Sequence, residues 1–170
     1  MMLYRLQQGL RAFSTQARPV DLQTARAYLA PPLMRLFLQM RRSEQQHSLN
    51  VLRALRAAGQ ADPDLTTAAL LHDVGKSRVP YHLWDRVLVV LAGHLFPRRL
   101  QTWGAGEPAG WRRPFVVAAQ HAAWSARMVR AAGGSARAVE IIARHQDRLG
   151  TPTNETERLI AALIEADSAN

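Results

Sequence analysis

Four of the six histidines in this 170-residue chain pair up around glycine turns. His47 lies about thirteen residues before the middle of a turn at Gly59, and His72 about twelve after it. His121 lies twelve residues before Gly133, and His145 eleven after Gly134. In an antiparallel helix hairpin, equal distances from the turn mean equal heights along the two helices. Each hairpin therefore brings two imidazoles to one level, and Asp73 sits beside His72. Asp167 follows His145 by 22 residues, with apolar neighbours Ile160, Leu163 and Ile164. Imidazole and carboxylate together suit a divalent transition metal: Fe, Mn, Co, Ni or Zn. A single buried histidine is commonly just a satisfied polar group. Four at matched heights point instead to one or two bound ions. The rings of His121 and His145 should then point toward Asp73, within roughly 8 Å of its carboxylate.

Lys76 is a second signal. It is the only lysine, beside 21 arginines. An ammonium on a flexible stem is not interchangeable with a guanidinium. Its place three residues after Asp73 suggests a contact near the metal or with a phosphate. The plain alternative is one lysine codon surviving by chance.

The elements that must hold these groups read as helices nearly throughout, with no strand run and no internal repeat. Asp21 can cap a short helix reaching Leu29. Pro31-Pro32 breaks it, and a second short helix follows from about Leu33 to Arg41. Ser43 and Gln46 have the spacing of a capping box opening the His47 helix, which stops before Gly59. Asp62-Pro63 restarts the chain as cap and first-turn proline, and that helix reaches Gly75. Tyr81 to Phe96 looks helical and very apolar. Pro114 starts a long helix closed by Gly133-Gly134. Ser135 caps the next, which ends near His145. Thr153 caps the last, from about Asn154 to Asp167.

The run His47…His72-Asp73-Val74-Gly75-Lys76…His121…His145…Asp167 resembles the HD superfamily of metal-dependent phosphohydrolases. Ala68 to Lys76 is close to that family's signature helix. The likeness spans about Ser43 to Asp167. It implies an all-α fold, a bundle of antiparallel helix hairpins around a metal site. It implies that His47, His72, Asp73 and Asp167 hold one divalent ion. In the two-metal branch, Asp73 bridges to a second ion held by His121 and His145. The implied activity is hydrolysis of a phosphoester, usually of a nucleotide, by a water that the metals make acidic. Phosphate oxygens would sit on the same ions. Asp73 and Lys76 are the catalytic candidates, and Arg144 would add a cation if it points inward. Solitary HD domains can also keep the ligands without turnover, so a non-catalytic regulatory or sensor module stands as the alternative. Three departures argue against the cyclic di-GMP-cleaving HD-GYP branch and its third metal. The His-His-Glu triplet reads Arg144-His145-Gln146, no Gly-Tyr-Pro follows Asp147, and Glu44 lies three residues before His47 rather than four.

The remaining features set the context. The length fits one domain, with residues 1–42 read as N-terminal helices packing on an HD domain of residues 43–170. Met1 to Val20 has three arginines and no acid, which suits either a transit peptide or a docking helix; Leu3, Leu6, Leu10 and Phe13 at helical spacing favour docking. The net charge of +9 could serve an anionic partner. The arginines are scattered rather than clustered, which argues against a nucleic-acid footprint and for composition and solubility. The expected partner is a small phosphorylated substrate, with a nucleotide foremost. Cysteine is absent, which excludes thiolate chemistry and suits a reducing, cytoplasmic setting. No apolar run approaches a membrane span. Residues 80–111 carry more apolar side chains than one helix face needs. Core packing is the usual explanation; a homodimer face, a substrate-pocket wall and a membrane-surface role are the others. Arg98-Arg99 could meet phosphate there. His82 and His94 fall outside the ligand pattern, with His94 read as incidental or, alternatively, as a leaving-group acid.

Overall fold

The structure, a computed structural model, describes residues 19–170. Those residues form nine α-helices and two short 3₁₀ turns, with no strand among them. The all-α expectation therefore holds. The helix expected before residue 20 lies outside the described residues, apart from Pro19 and Val20.

Helices α1 (Leu22–Tyr28) and α2 (Pro31–Gln39) lead in. Asp21 caps α1 by accepting from the Thr24 amide at 3.0 Å. The two prolines open α2 instead of merely ending α1. Their missing N–H groups are harmless in a first turn. The first hairpin joins α3 (Arg42–Ala57) to α4 (Pro63–Leu71). Gly59 takes φ of +76° in the turn, where a side chain would be strained. Asp62 caps α4 by accepting from the Asp64 and Leu65 amides. A 3₁₀ turn, Val74–Arg78, continues α4 past the His72-Asp73 corner. The second hairpin joins α7 (Arg113–Ala131) to α8 (Ala136–Arg144) through Gly133 at φ +83°. Helix α9 (Glu155–Ala169) closes the bundle.

Two expected caps move. Ser43 lies inside α3, which starts one residue earlier with Arg41 as its cap residue. The Gln46 amide donates forward to Asn50, and Gln45 donates to the Phe37 carbonyl of α2. Tying α3 to the preceding helix takes precedence over a local box. Asn154, not Thr153, caps α9 by accepting from the Glu157 amide at 2.9 Å. Thr153 donates to the Glu157 carboxylate from both its amide and its hydroxyl.

One core draws Phe37, Met34, Leu49, Leu52, Leu65, Leu70, Leu71, Ile141, Ile142, Ile160 and Leu163 from α2, α3, α4, α8 and α9. Helix α9 packs on α3, α4 and α8, and α4 packs on α8. Arg137 pins the two hairpins at the far end, bonding Asp62 and Asp64 at 2.7 Å each. Toward the opposite end sit His72 and His145, at the C-terminal ends of α4 and α8, with His47 on α3 and His121 on α7.

Within residues 80–111, Tyr81 joins a small core with Val116, Val117 and Trp124, but the helix that follows it does not. Helix α5 (Leu83–Leu95) rests on α7, and α6 (Leu100–Trp103) follows it. Of the α5 apolar residues whose side chains are described, only Ala92 is buried, while Trp84, Leu88, Leu91 and Leu95 are exposed. Arg98 and Arg99 are exposed at its far end.

Candidate metal centre

The two hairpins meet where their heights predict. The rings of His47 and His72 lie 5.5 Å apart, those of His72 and His145 5.1 Å, and those of His121 and His145 5.3 Å. The ligand-type atoms fall into two clusters: His47, His72 and Asp167, and then Asp73, His121 and His145. Within each cluster the atoms lie within 4.8 Å of one another. Bonds of about 2.0–2.2 Å to one cation impose donor spacings of roughly 3–4.3 Å, so small adjustments would close each cluster on an ion. Asp73 spans the two. Its Oδ2 lies 3.7 Å from His72 Nε2, and its Oδ1 lies 3.2 Å from His121 Nε2. The rings of His121 and His145 thus do turn toward Asp73.

The backbone fixes which ring nitrogens are on offer. His72 Nδ1 donates to the Ala69 carbonyl at 3.1 Å, His121 Nδ1 to Val117 at 3.0 Å, and His145 Nδ1 to Ile142 at 2.7 Å. A carbonyl only accepts, so each Nδ1 carries a proton and each ring turns its Nε2 inward. His72 Nε2 is buried and has no hydrogen-bond partner. Asp167 Oδ1 and Asp73 Oδ2 lie 3.5 and 3.7 Å from it, too long for good hydrogen bonds. An orphaned buried nitrogen between two carboxylates is costly as it stands. A cation coordinated by all three would resolve it, so the residues present fit a divalent metal.

The electrostatics agree. Burial alone would lower the His72 pKa, but Asp73 and Asp167 outweigh it and raise it to about 9. Without a metal, a proton on Nε2 stands where the cation would be. Burial, with the His72 charge beside it, pushes His145 down to about 3. Burial would raise Asp73, yet Lys76, His72 and His121 hold it well below the usual carboxylate range. Asp167 is likewise lowered against its burial, chiefly by the hydrogen bond with His47 at 2.8 Å. The first cluster is the open one, since Asp167 is about one-third exposed and Asp73 and His121 are nearly enclosed.

Lys76 makes the contact its isolation suggested. Its Nζ donates to Asp73 Oδ2 at 2.6 Å. Burial opposes its charge, but Asp73 and Glu44 raise its pKa above the ordinary value. Gly75 explains the tight signature. A Cβ there would stand 2.4 Å from the His121 carbonyl and 2.8 Å from the Ser125 amide. Its own amide donates to Ser125 Oγ at 2.8 Å. The 3₁₀ turn is thus pressed against α7 directly beside His121.

Other expectations separate from the site. Arg144 does not point inward; Glu140, Asp147 and Glu157 hold it at 3.2, 3.1 and 3.5 Å. His94 is exposed, and its Nδ1 donates to Val90 on its own helix. His82 is an exposed residue at the start of α5. Arg98 and Arg99 do not line the cleft beside Asp73. That cleft is narrow, with a volume of about 10 Å³, room for about one water, and is lined by Met40, Arg41, Glu44, Lys76, Ser77 and Tyr81 besides Asp73 itself. No motif or spacing marks Arg41 or Tyr81 as lining this cleft. Glu44 is buried and paired with Arg86, 42 residues away, a tie that spacing cannot reveal.

Compared with known families, residues 45–169 match the HD domain. No curated protein and no solved structure matches the chain.

Proposed function

The chain belongs to the HD domain family, and from that premise we propose that it is a metal-dependent phosphohydrolase acting on a small phosphoester, a nucleotide foremost. The observation that carries this reading is the orphaned His72 Nε2 between Asp73 and Asp167. His47, His72, Asp73 and Asp167 would hold one divalent ion, and Asp73, His121 and His145 a second. Such ions, when bound, supply an acidified water and offset charge on the phosphoryl oxygens.

The chain's own residues do the rest. The Nδ1–carbonyl bonds of His72, His121 and His145 fix ring orientation before any ligand arrives, which removes a reorganisation cost. Lys76 keeps Asp73 ionised and oriented with one N–H, and its remaining protons can bond a phosphoryl oxygen. Arg41 at the cleft rim can take a further oxygen. Met40 and the ring of Tyr81 give the cleft an apolar wall for the organic part of the ester.

The non-catalytic reading gains from one observation. Arg144 is committed to three carboxylates, so one cation expected at the phosphate is elsewhere. Metal analysis of the purified protein, followed by phosphate release from a panel of nucleotides and simple phosphomonoesters, separates the two. Bound metal with turnover supports the phosphohydrolase. Bound metal with no turnover across the panel favours the sensor. No bound metal refutes both.

A further inference from the structure

Helix α5 carries its apolar stripe on the wrong side for a core helix. Trp84, Leu88, Leu91 and Leu95 recur at spacings of four, three and four, the seam of a coiled coil. All four face solvent, with Trp84 80% and Leu95 69% exposed. Val87 flanks the stripe and is also exposed. The helix rests on α7, with Ala92 buried and Val89 and Gly93 half-buried on the side away from the stripe. Phe96 extends the patch, and through Trp103, 5.8 and 5.5 Å from the rings on either side, it reaches exposed Trp111.

We propose that this face is a two-fold interface in which α5 pairs antiparallel with α5 of a second copy of the chain. Three observations select that occupant. The first is symmetry. The four-three-four spacing is palindromic about a point between Leu88 and Leu91, so a two-fold axis there sets Trp84 against Leu95 and Leu88 against Leu91 at once. An isologous interface demands that self-complementarity. The second is area. The stripe, Phe96 and Trp111 together expose roughly 750 Å², beyond the ~300–600 Å² of a typical monomer's largest patch and just under the ~800 Å² each partner gives a stable interface. The third is charge. The ionised residues of α5, Asp85 and Arg86, are already paired with Arg113 and Glu44. A lipid-facing helix sets cations along the flanks of its apolar face, and here Val87, Val90 and His94 stand there instead. Antiparallel pairing also keeps the two Arg98-Arg99 pairs at opposite ends of a 13-residue helix. That is about 20 Å, beyond the ~8 Å screening length at physiological salt.

The proposal is independent of catalysis. Sedimentation of the full chain at tens of micromolar should give one species at twice the 18.9 kDa chain mass. Leu88→Glu/Leu91→Glu should sediment as the monomer with unchanged helical circular dichroism, because both positions are exposed. The chain has no cysteine, so cross-linking has no background. Trp84→Cys mixed with Leu95→Cys should form a disulfide dimer on mild oxidation, and neither alone should do so comparably. A monomeric wild type overturns the proposal. So does a dimer that survives the double glutamate variant, or cross-linking no better in the mixture than in either variant alone. A monomer that sediments with phosphatidylglycerol vesicles overturns it too, by assigning the face to lipid.

Discussion

Acid should drive metal off this centre, and His72 sets the slope. In the metal-free protein two carboxylates raise its pKa to about 9. At pH 7 only about one molecule in a hundred then presents a bare Nε2 lone pair. A divalent ion must displace that proton, so the proton is bound in the free state and released on loading. Apparent affinity at the His47–His72–Asp167 cluster should rise about tenfold per pH unit between pH 6 and 8. At pH 7 it should stand roughly 100-fold, ~2.7 kcal/mol, below its plateau above pH 9. His145, held near 3, carries no proton in this range and adds no slope. Calorimetric titration of chelator-stripped protein with Mn²⁺, in two buffers of different ionisation enthalpy, counts the protons. The expected result is about one proton released from His72 per ion at pH 7. An affinity flat from pH 6 to 8 with no proton released would refute the reasoning, as would the same slope in His72→Ala.

Three further outcomes follow from named contacts. Lys76→Arg should keep fold and metal but lower phosphoester turnover at least tenfold, about 1.4 kcal/mol, because the planar guanidinium cannot reproduce the 2.6 Å contact with Asp73; equal turnover at matched metal loading returns Lys76 to a structural role. Gly75→Ala should destabilise the protein by about 1–3 kcal/mol, since a Cβ 2.4 Å from the His121 carbonyl forces the 3₁₀ turn off α7; an unchanged denaturant midpoint would contradict it. Ser135→Ala removes a cap that accepts from the Ala138 amide and should cost about 1 kcal/mol in chemical unfolding without changing metal content.

Much of the centre was legible because it rests on local rules that add up. Turn positions at Gly59 and Gly133 set helix heights, and heights set which imidazoles meet. Asp21, Asp62 and Ser135 cap as read, since each bonds an amide two or three residues on and needs no tertiary partner. Ser43 failed where a tertiary bond, Gln45 to the Phe37 carbonyl, outweighed a local one. The condition set for Arg144 is not met, because a sequence position beside His145 says nothing of the rotamer and three carboxylates lie within reach. The α5 stripe shows the converse limit. Apolar periodicity identifies a helix and a face, but burial depends on what packs there, and among the described residues nothing large does.

The most direct test of the central claim is phosphate release by one preparation measured three ways: as purified, after chelator stripping, and after reloading with Mn²⁺. Turnover of a phosphoester substrate should be lost on stripping and return on reloading, and His72→Ala should stay inactive throughout. Turnover indifferent to stripping, or undiminished in His72→Ala, would contradict it.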